Sequence, residues 1–362
     1  MADEITNDTV VTMLEHALAL DASDVFLTPG LPTVFKVDGH QVREGECLMP
    51  LMVRDYILGI YGVAHRSSTM LDTSIDDDDF SFSLPGQGRF RVNVFHQRGT
   101  LAAVIRVIHF ELPDPIALKI PSEVLDTAKL TKGLVLVTGP AGSGKSTTLA
   151  CIIDRINHAR EGHIITVEDP LEYIHRHDKC IVTQREVSTD TESYVSALNS
   201  ALRESPDVIL FGEMRSADTI EAAMTAAETG QLLFSTLHTS GAANTVDRIV
   251  DVFPAAQQNQ VRMQLSQVLE AVVSQKLVPT VDGGVTPAFE IMFTNPAIRN
   301  LIREDKIHQI YSMMQTGQDK FGMQTFNQSL CDLYLRKQIS LEEALGHSSE
   351  VDELKTMILN GG

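Results

Sequence analysis

The sequence predicts an α/β protein in two parts: a small α+β unit, then a larger one built on a mainly parallel sheet. Three observations carry that prediction. From residue 134 onward, apolar runs at 134–138, 164–168, 208–211 and 232–237 alternate with stretches of helical periodicity, the rhythm of parallel strands covered by helices. A glycine-rich turn, GPAGSGKST at 139–147, stands between the first of those runs and a helical stretch. The first hundred residues lack the rhythm and carry a hairpin signal instead.

The bulk numbers bound the answer. With 362 residues the prior is two or three domains, and 43% hydrophobic with 21% charged residues is ordinary for a folded chain. A net charge of −19 argues against a surface made to neutralise nucleic-acid phosphates. Cys47, Cys151, Cys180 and Cys331 form no C-x-x-C pair, so neither a disulfide framework nor a cysteine zinc site is expected. No basic-then-apolar leader follows Met1, and no run of about 18 apolar residues occurs anywhere. A reducing cytosol is the expected setting.

Along the first part, Val10, Met13, Leu14, Ala17 and Leu18 recur at helical spacing. Residues 80–84 and 89–95 alternate polar and apolar around PGQG at 85–88, which predicts a hairpin. In its second strand Phe90, Val92 and Val94 share one face, so Arg89, Arg91 and Asn93 share the other. A further strand at 101–108 contains Arg106, and the acidic run at 76–79 reads as a solvated turn. Pro113, Pro115 and Pro121 then suggest a linker. The expected division is residues 1–110, a hinge at 111–121, and residues 122–362. The second part reads as a RecA-like nucleotide-binding core.

GPAGSGKST fits G-x-x-x-x-G-K-[S/T]: Gly139, Pro140, Ala141, Gly142, Ser143, Gly144, Lys145, Ser146 and Thr147. Glycines let the backbone N–H groups converge on phosphates, and the helix that follows adds its positive end. Lys145 is expected on the β- and γ-phosphates, and Ser146 on Mg²⁺. Hydrolysis then needs carboxylates, and in parallel sheets chemistry gathers at the carboxyl ends of strands. Glu168 and Glu213 end their strands in this way; Asp207 lies at the opposite end of its own. Glu213 is also expected to hold Mg²⁺ through water, with Gly212 allowing close approach. His238 ends a third strand. A lone histidine is as a rule structural, but its place beside two acids favours a γ-phosphate sensor or relay, with Thr236 a weaker candidate for that role.

These pieces in this order resemble the secretion-type ATPases of type IV pili and of type II and type IV secretion, over nearly the whole chain. The family's aspartate box is matched by ITVEDPLEY (165–173) and its Walker B by SPDVILFGEMR (205–215). Its histidine box is matched by TAAETG (225–230), STLHT (235–239) and DRIVDVFP (247–254). AIRNLIRE, comprising Ala297, Ile298, Arg299, Asn300, Leu301, Ile302, Arg303 and Glu304, is similar to a signature of the pilus-retraction, twitching-motility branch. By itself it reads as an amphipathic helix with Ile298, Leu301 and Ile302 on one side and two cations, Arg299 and Arg303, on another.

The resemblance implies a PAS-like first domain, a RecA-like ATPase domain and a homohexameric ring. It implies arginines of the first domain approaching nucleotide held by a neighbour: Arg89, Arg91 or Arg106, each equally a candidate for a structural salt bridge. Arg215 and Arg248 are further candidates near the site. It implies ATP and Mg²⁺ as ligands, an inner-membrane platform protein of the pilus machine as partner, a paralogous motor as a second possible partner, and a cytoplasmic protein held at the inner face of the membrane. Two departures stand out: SADT at 216–219 where the family often has an acidic residue before Leu-Glu-Thr, and Asp247 where some relatives carry a second histidine. They leave room for an accessory retraction paralogue. Extension motors carry a zinc-binding cysteine tetrad, absent here. A RecA-like nucleic-acid motor is the rival class, disfavoured by the net charge and by the absence of tryptophan; no nucleic acid is expected.

Overall fold

The computed structural model describes residues 5–37, 39–68, 77–108, 112–317 and 322–361, and the chain divides into two units, Met1–Glu111 with Glu172–Ile174 and Leu112–Leu171 with His175–Gly362. In the first unit the order is α1 (Asn7–Ala19), β1 (Asp24–Leu27), β2 (Thr33–Val37), β3 (His40–Glu44), α2 (Pro50–Val63), β4 (Asp78–Leu84), β5 (Gly88–Gln97) and β6 (Thr100–Ile108). The α1 helix starts where Thr6 and Thr9 cap one another's backbone N–H. The six strands form one antiparallel sheet in the order β3-β2-β1-β6-β5-β4.

Alternation fixes its faces: Phe90, Val92 and Val94 are buried and join Val10, Leu14, Ile57 and Ile60 in one core, while Arg89, Arg91 and Asn93 lie on the other side. Part of the acidic run departs from expectation. Asp76 lies outside the described residues, but Asp78 and Asp79 open β4 rather than a solvated turn. They are held there by cations: Arg66 donates to Asp78 at 3.1 Å and Arg91 to Asp79 at 2.5 and 3.0 Å.

The second unit contains α3 (Ser122–Leu125), β7 (Gly133–Thr138), α4 (Lys145–Ala159), β8 (Gly162–Glu168), β9 (Cys180–Glu186), α5 (Tyr194–Ala201), β10 (Val208–Glu213) and α6 (Ala217–Glu228). Then follow β11 (Leu232–Leu237), α7 (Ala242–Asp251), α8 (Ala255–Val268), β12 (Leu269–Pro279), β13 (Val285–Phe293), α9 (Pro296–Arg303), α10 (Ile310–Gln315), α11 (Phe326–Leu335), α12 (Leu341–His347) and α13 (Val351–Asn360). The sheet runs β13-β12-β7-β11-β10-β8-β9 and is parallel throughout except for β13.

The four expected strands are present, and their apolar side chains feed two cores. Leu136, Val167, Phe211 and Leu237 face one, while Val137, Ile164, Leu210 and Phe234 face the other. Burial on both faces is why these strands read as unbroken apolar runs. Of the expected hinge at 111–121, residue 111 lies outside the described residues; Ile120 is buried in the second of these cores, and the Pro113 carbonyl accepts from Cys151 Sγ at 3.4 Å.

Candidate functional site

Register brings the expected residues to one edge. Thr138 pairs with Leu237, Thr236 with Glu213, and Phe211 with Val167. The residues at or just beyond those positions are Gly139, His238, Glu213 and Glu168, so they form one row across the carboxyl ends of β7, β11, β10 and β8. Strand spacing orders them: β11 adjoins β7, while β8 lies three spacings away, about 14 Å. Glu168 is therefore the outermost member of the row.

The phosphate loop rises from β7. Gly139, Gly142 and Gly144 have φ of 146°, 75° and 88°, conformations that side chains rarely adopt. Lys145 opens α4 and is 8% exposed, its ammonium donating to the carbonyls of Gly139 at 3.0 Å and Pro140 at 2.9 Å. The Ser143 hydroxyl is buried without a hydrogen-bond partner in the fold. An orphaned hydroxyl, a lysine folded onto its own loop and a helix N-terminus together fit a loop whose polar groups are completed by a phosphate ligand. Ser146 and Glu213 offer hard oxygen donors of the kind Mg²⁺ takes.

Glu213 is in contact with two basic side chains. Arg215 Nε lies 2.6 Å from one of its oxygens and His238 Nε2 lies 3.5 Å from the other. His238 is half-exposed, so its ring reaches solvent while touching the acid. Thr236 is already committed, its hydroxyl donating to the Gly212 carbonyl at 2.6 Å, where β10 bulges between Phe211 and Glu213. That bond fastens the bulge and occupies the one proton the Thr236 hydroxyl has to donate.

Gly212 has a further reason beside the one expected. A Cβ there would lie 2.7 Å from the Tyr194 hydroxyl and 3.1 Å from the Val167 carbonyl. Tyr194 itself carries no motif and was invisible to spacing arguments. Burial first, then the charges of Glu213, Asp169 and Glu168, hold its phenol well above its usual range, which keeps it a neutral donor beside the acids. The divergent Ser216 and Thr219 cap one another's backbone N–H and start α6, so that departure is a helix signal. Asp207 sits at the far end, accepting from the His163 N–H at 2.8 Å.

Both outlying arginine groups are engaged within the chain. Arg106 donates to Asp24, directly across the strand pair, at 3.2 Å, Arg91 is held by Asp79, and Arg89 donates to Ser83 at 3.2 Å. Arg248 is exposed in the last turn of α7. AIRNLIRE forms α9 with Ile298 and Ile302 fully buried, as its pattern predicts.

Its two arginines do not form a matched pair of free cations. Arg299 donates to the carbonyls of Ser266 at 2.9 Å and Gln267 at 2.8 Å, and to Glu270 at 2.8 Å. It clamps the end of α8 to the start of β12, because the last carbonyls of a helix need donors. Arg303 bonds Asn300 one turn away at 3.2 Å. Among the described residues, no helix is long and apolar enough to cross a membrane.

A family described as "Type II/IV secretion system protein" matches residues 2–318. The chain is 46% identical over 335 residues to the type IV pilus retraction ATPase PilT of Pseudomonas aeruginosa, covering 92% of this chain and 96% of that one. It is 42% identical over 342 residues to the type IV pilus ATPase PilU of the same organism, covering 94% and 88%. A crystal structure of the pilus retraction motor PilT with bound ADP superposes with a TM-score of 0.86 at 46% identity, covering 96% of this chain and 99% of the other.

Proposed function

The chain belongs to the type II/IV secretion system protein family, and on that premise we propose that it is an ATP-hydrolysing motor that powers type IV pilus retraction. The observation that carries this reading is the row at the strand ends: phosphate loop, His238, Glu213 and Glu168 on four neighbouring strands. The loop N–H groups and Lys145 bind the triphosphate and draw its charge forward. Glu213 orients and deprotonates the attacking water, and the His238 ring, 3.5 Å from that acid, passes the state of the γ-phosphate to the segment after β11. Glu168, outermost in the row, supplies a second carboxylate to the water's path. A magnesium ion held by Ser146, and by Glu213 through water, would neutralise charge developing on the phosphates.

The motor works as a homohexamer in the cytoplasm, against an inner-membrane platform protein of the pilus machine. In the ring, one or more of Arg89, Arg91 and Arg106 serve a neighbour's nucleotide. Their present partners do not forbid this: the Arg91–Asp79 pair is half-exposed and such pairs hold side chains by only about 0–1 kcal/mol, and Arg106 is itself exposed although its partner Asp24 is buried. Residues 111–121 act as the hinge between domains 1–110 and 122–362.

Complementation tests the reading. Expressed in cells lacking their retraction motor, the chain should restore twitching and reduce surface piliation, and its Lys145→Ala variant should do neither. Restoration only when another retraction motor is also present would favour the accessory reading. No effect in either background would overturn a role in retraction.

A further inference from the structure

β12 runs parallel to β7, with Ser274 paired with Thr138, the last residue before the phosphate loop. At that level an apolar strand turns polar: Ser274 and Gln275 are 0% and 4% exposed. Buried polar side chains are kept where they have partners, and these two have them on the nucleotide side. The Ser274 hydroxyl accepts from Thr138 Oγ1 at 2.9 Å and from the Gly241 N–H at 2.8 Å. One oxygen thus joins the foot of the phosphate loop to the segment that follows His238.

Gln275 lies against the loop itself. Its Oε1 accepts from Thr148 Oγ1, in the first turn of α4, at 2.7 Å. A Cβ on Gly144 would lie 2.8 Å from its Nε2, and a Cβ on Gly139 would lie 2.2 Å from its backbone carbonyl. Both ends of the loop therefore rest on one residue of β12, and glycine is needed at each end for room as well as for φ.

We propose that Gln275 is a positioning residue of the ATPase site, holding the phosphate loop and the first turn of α4 in register, with Ser274 extending the brace to the segment after His238. The inference rests on the reading that residues 139–147 bind nucleotide phosphates. Gln275 reaches the ligand only through the loop. Its loss loosens the convergence of loop N–H groups and weakens nucleotide binding, while the hydrolytic acids on β8 and β10 stay in place.

The test is equilibrium titration of the full chain with a fluorescent ADP analogue, beside steady-state ATP turnover and a thermal melt. Gln275→Ala and the near-isosteric Thr148→Val should each raise Kd and the KM for ATP about tenfold, the worth of one buried hydrogen bond, with kcat changed less than about threefold. The double variant should bind no worse than the weaker single one, because both remove the same bond. Gln275→Glu keeps an acceptor for Thr148 but sets a negative charge beside the phosphates, so it should bind worse than Gln275→Ala. Wild-type affinity in both single variants, penalties that add in full, or a lowered melting point as the sole change would overturn the positioning role. Failure of the wild-type chain to bind the analogue would overturn the nucleotide reading and this inference with it.

Discussion

The two sheets place their charges by opposite rules. In the first, cations stand in mid-strand: Arg91 and Arg106 face each other across β5 and β6, and each is neutralised by a carboxylate on the next strand over, Asp79 on β4 or Asp24 on β1. In the second, the four central strands carry no carboxylate until their last residues, Glu213 and Glu168. An antiparallel sheet with one free face can keep charges along its length. A parallel sheet buried on both faces has only its carboxyl ends left for chemistry. The arginines of the first sheet are thus paired within their own sheet, while the acids of the second are placed by the register of their strands.

The sharpest way to break that contrast is to remove the arginines. Alanine at Arg89, Arg91 and Arg106 together should lower ATP turnover by about 10³-fold or more if one of them stabilises charge in the transition state. The melting temperature should fall as well, mainly because removing Arg106 takes the nearer cation from the buried Asp24 carboxylate. Normal turnover with a lowered melting point would make the first sheet's charges purely structural.

A smaller effect separates the two arginines of α9. Arg299→Ala deletes three hydrogen bonds and strands Glu270; it should cost about 2–3 kcal/mol in denaturant unfolding. Arg303→Ala should stay within about 0.5 kcal/mol, as surface changes do. Equal losses would mean that the clamp on β12 carries no stability.

The central strands were legible because burial on both faces makes them continuous apolar runs that end in the motif residues. Their order was not: nothing in spacing says that β11, fifth in this sheet by sequence, inserts beside β7, which is what makes His238 the nearest of the three to the loop and Glu168 the farthest. β12 was hidden because Leu269 follows Val268 with no glycine or proline to break the apolar pattern of α8. Gln275 and Tyr194 were hidden with it, since both act through contacts that only folding creates. Arg299 misled for the opposite reason. Helical spacing places a residue on a face, but it cannot report the carbonyls a neighbouring helix end will offer.

A pH dependence is expected as well. Burial pushes His175 down to about 4 from its ordinary 6.5, so the folded chain holds it neutral while the unfolded chain takes up a proton. Its contribution to stability is full above about pH 6.5 and is lost as the pH falls toward 4. His175→Gln should flatten that limb in denaturant melts taken across the window; an unchanged slope would assign the acid sensitivity elsewhere.

The most direct test of the account is Glu213→Gln, which keeps the size of the side chain and removes its charge. Nucleotide binding and single-turnover hydrolysis are measured on the same sample. ATP should be bound about as tightly as by the wild-type chain, with hydrolysis slowed about 10²–10³-fold. ATP cleaved at the wild-type rate by the bound variant would contradict it.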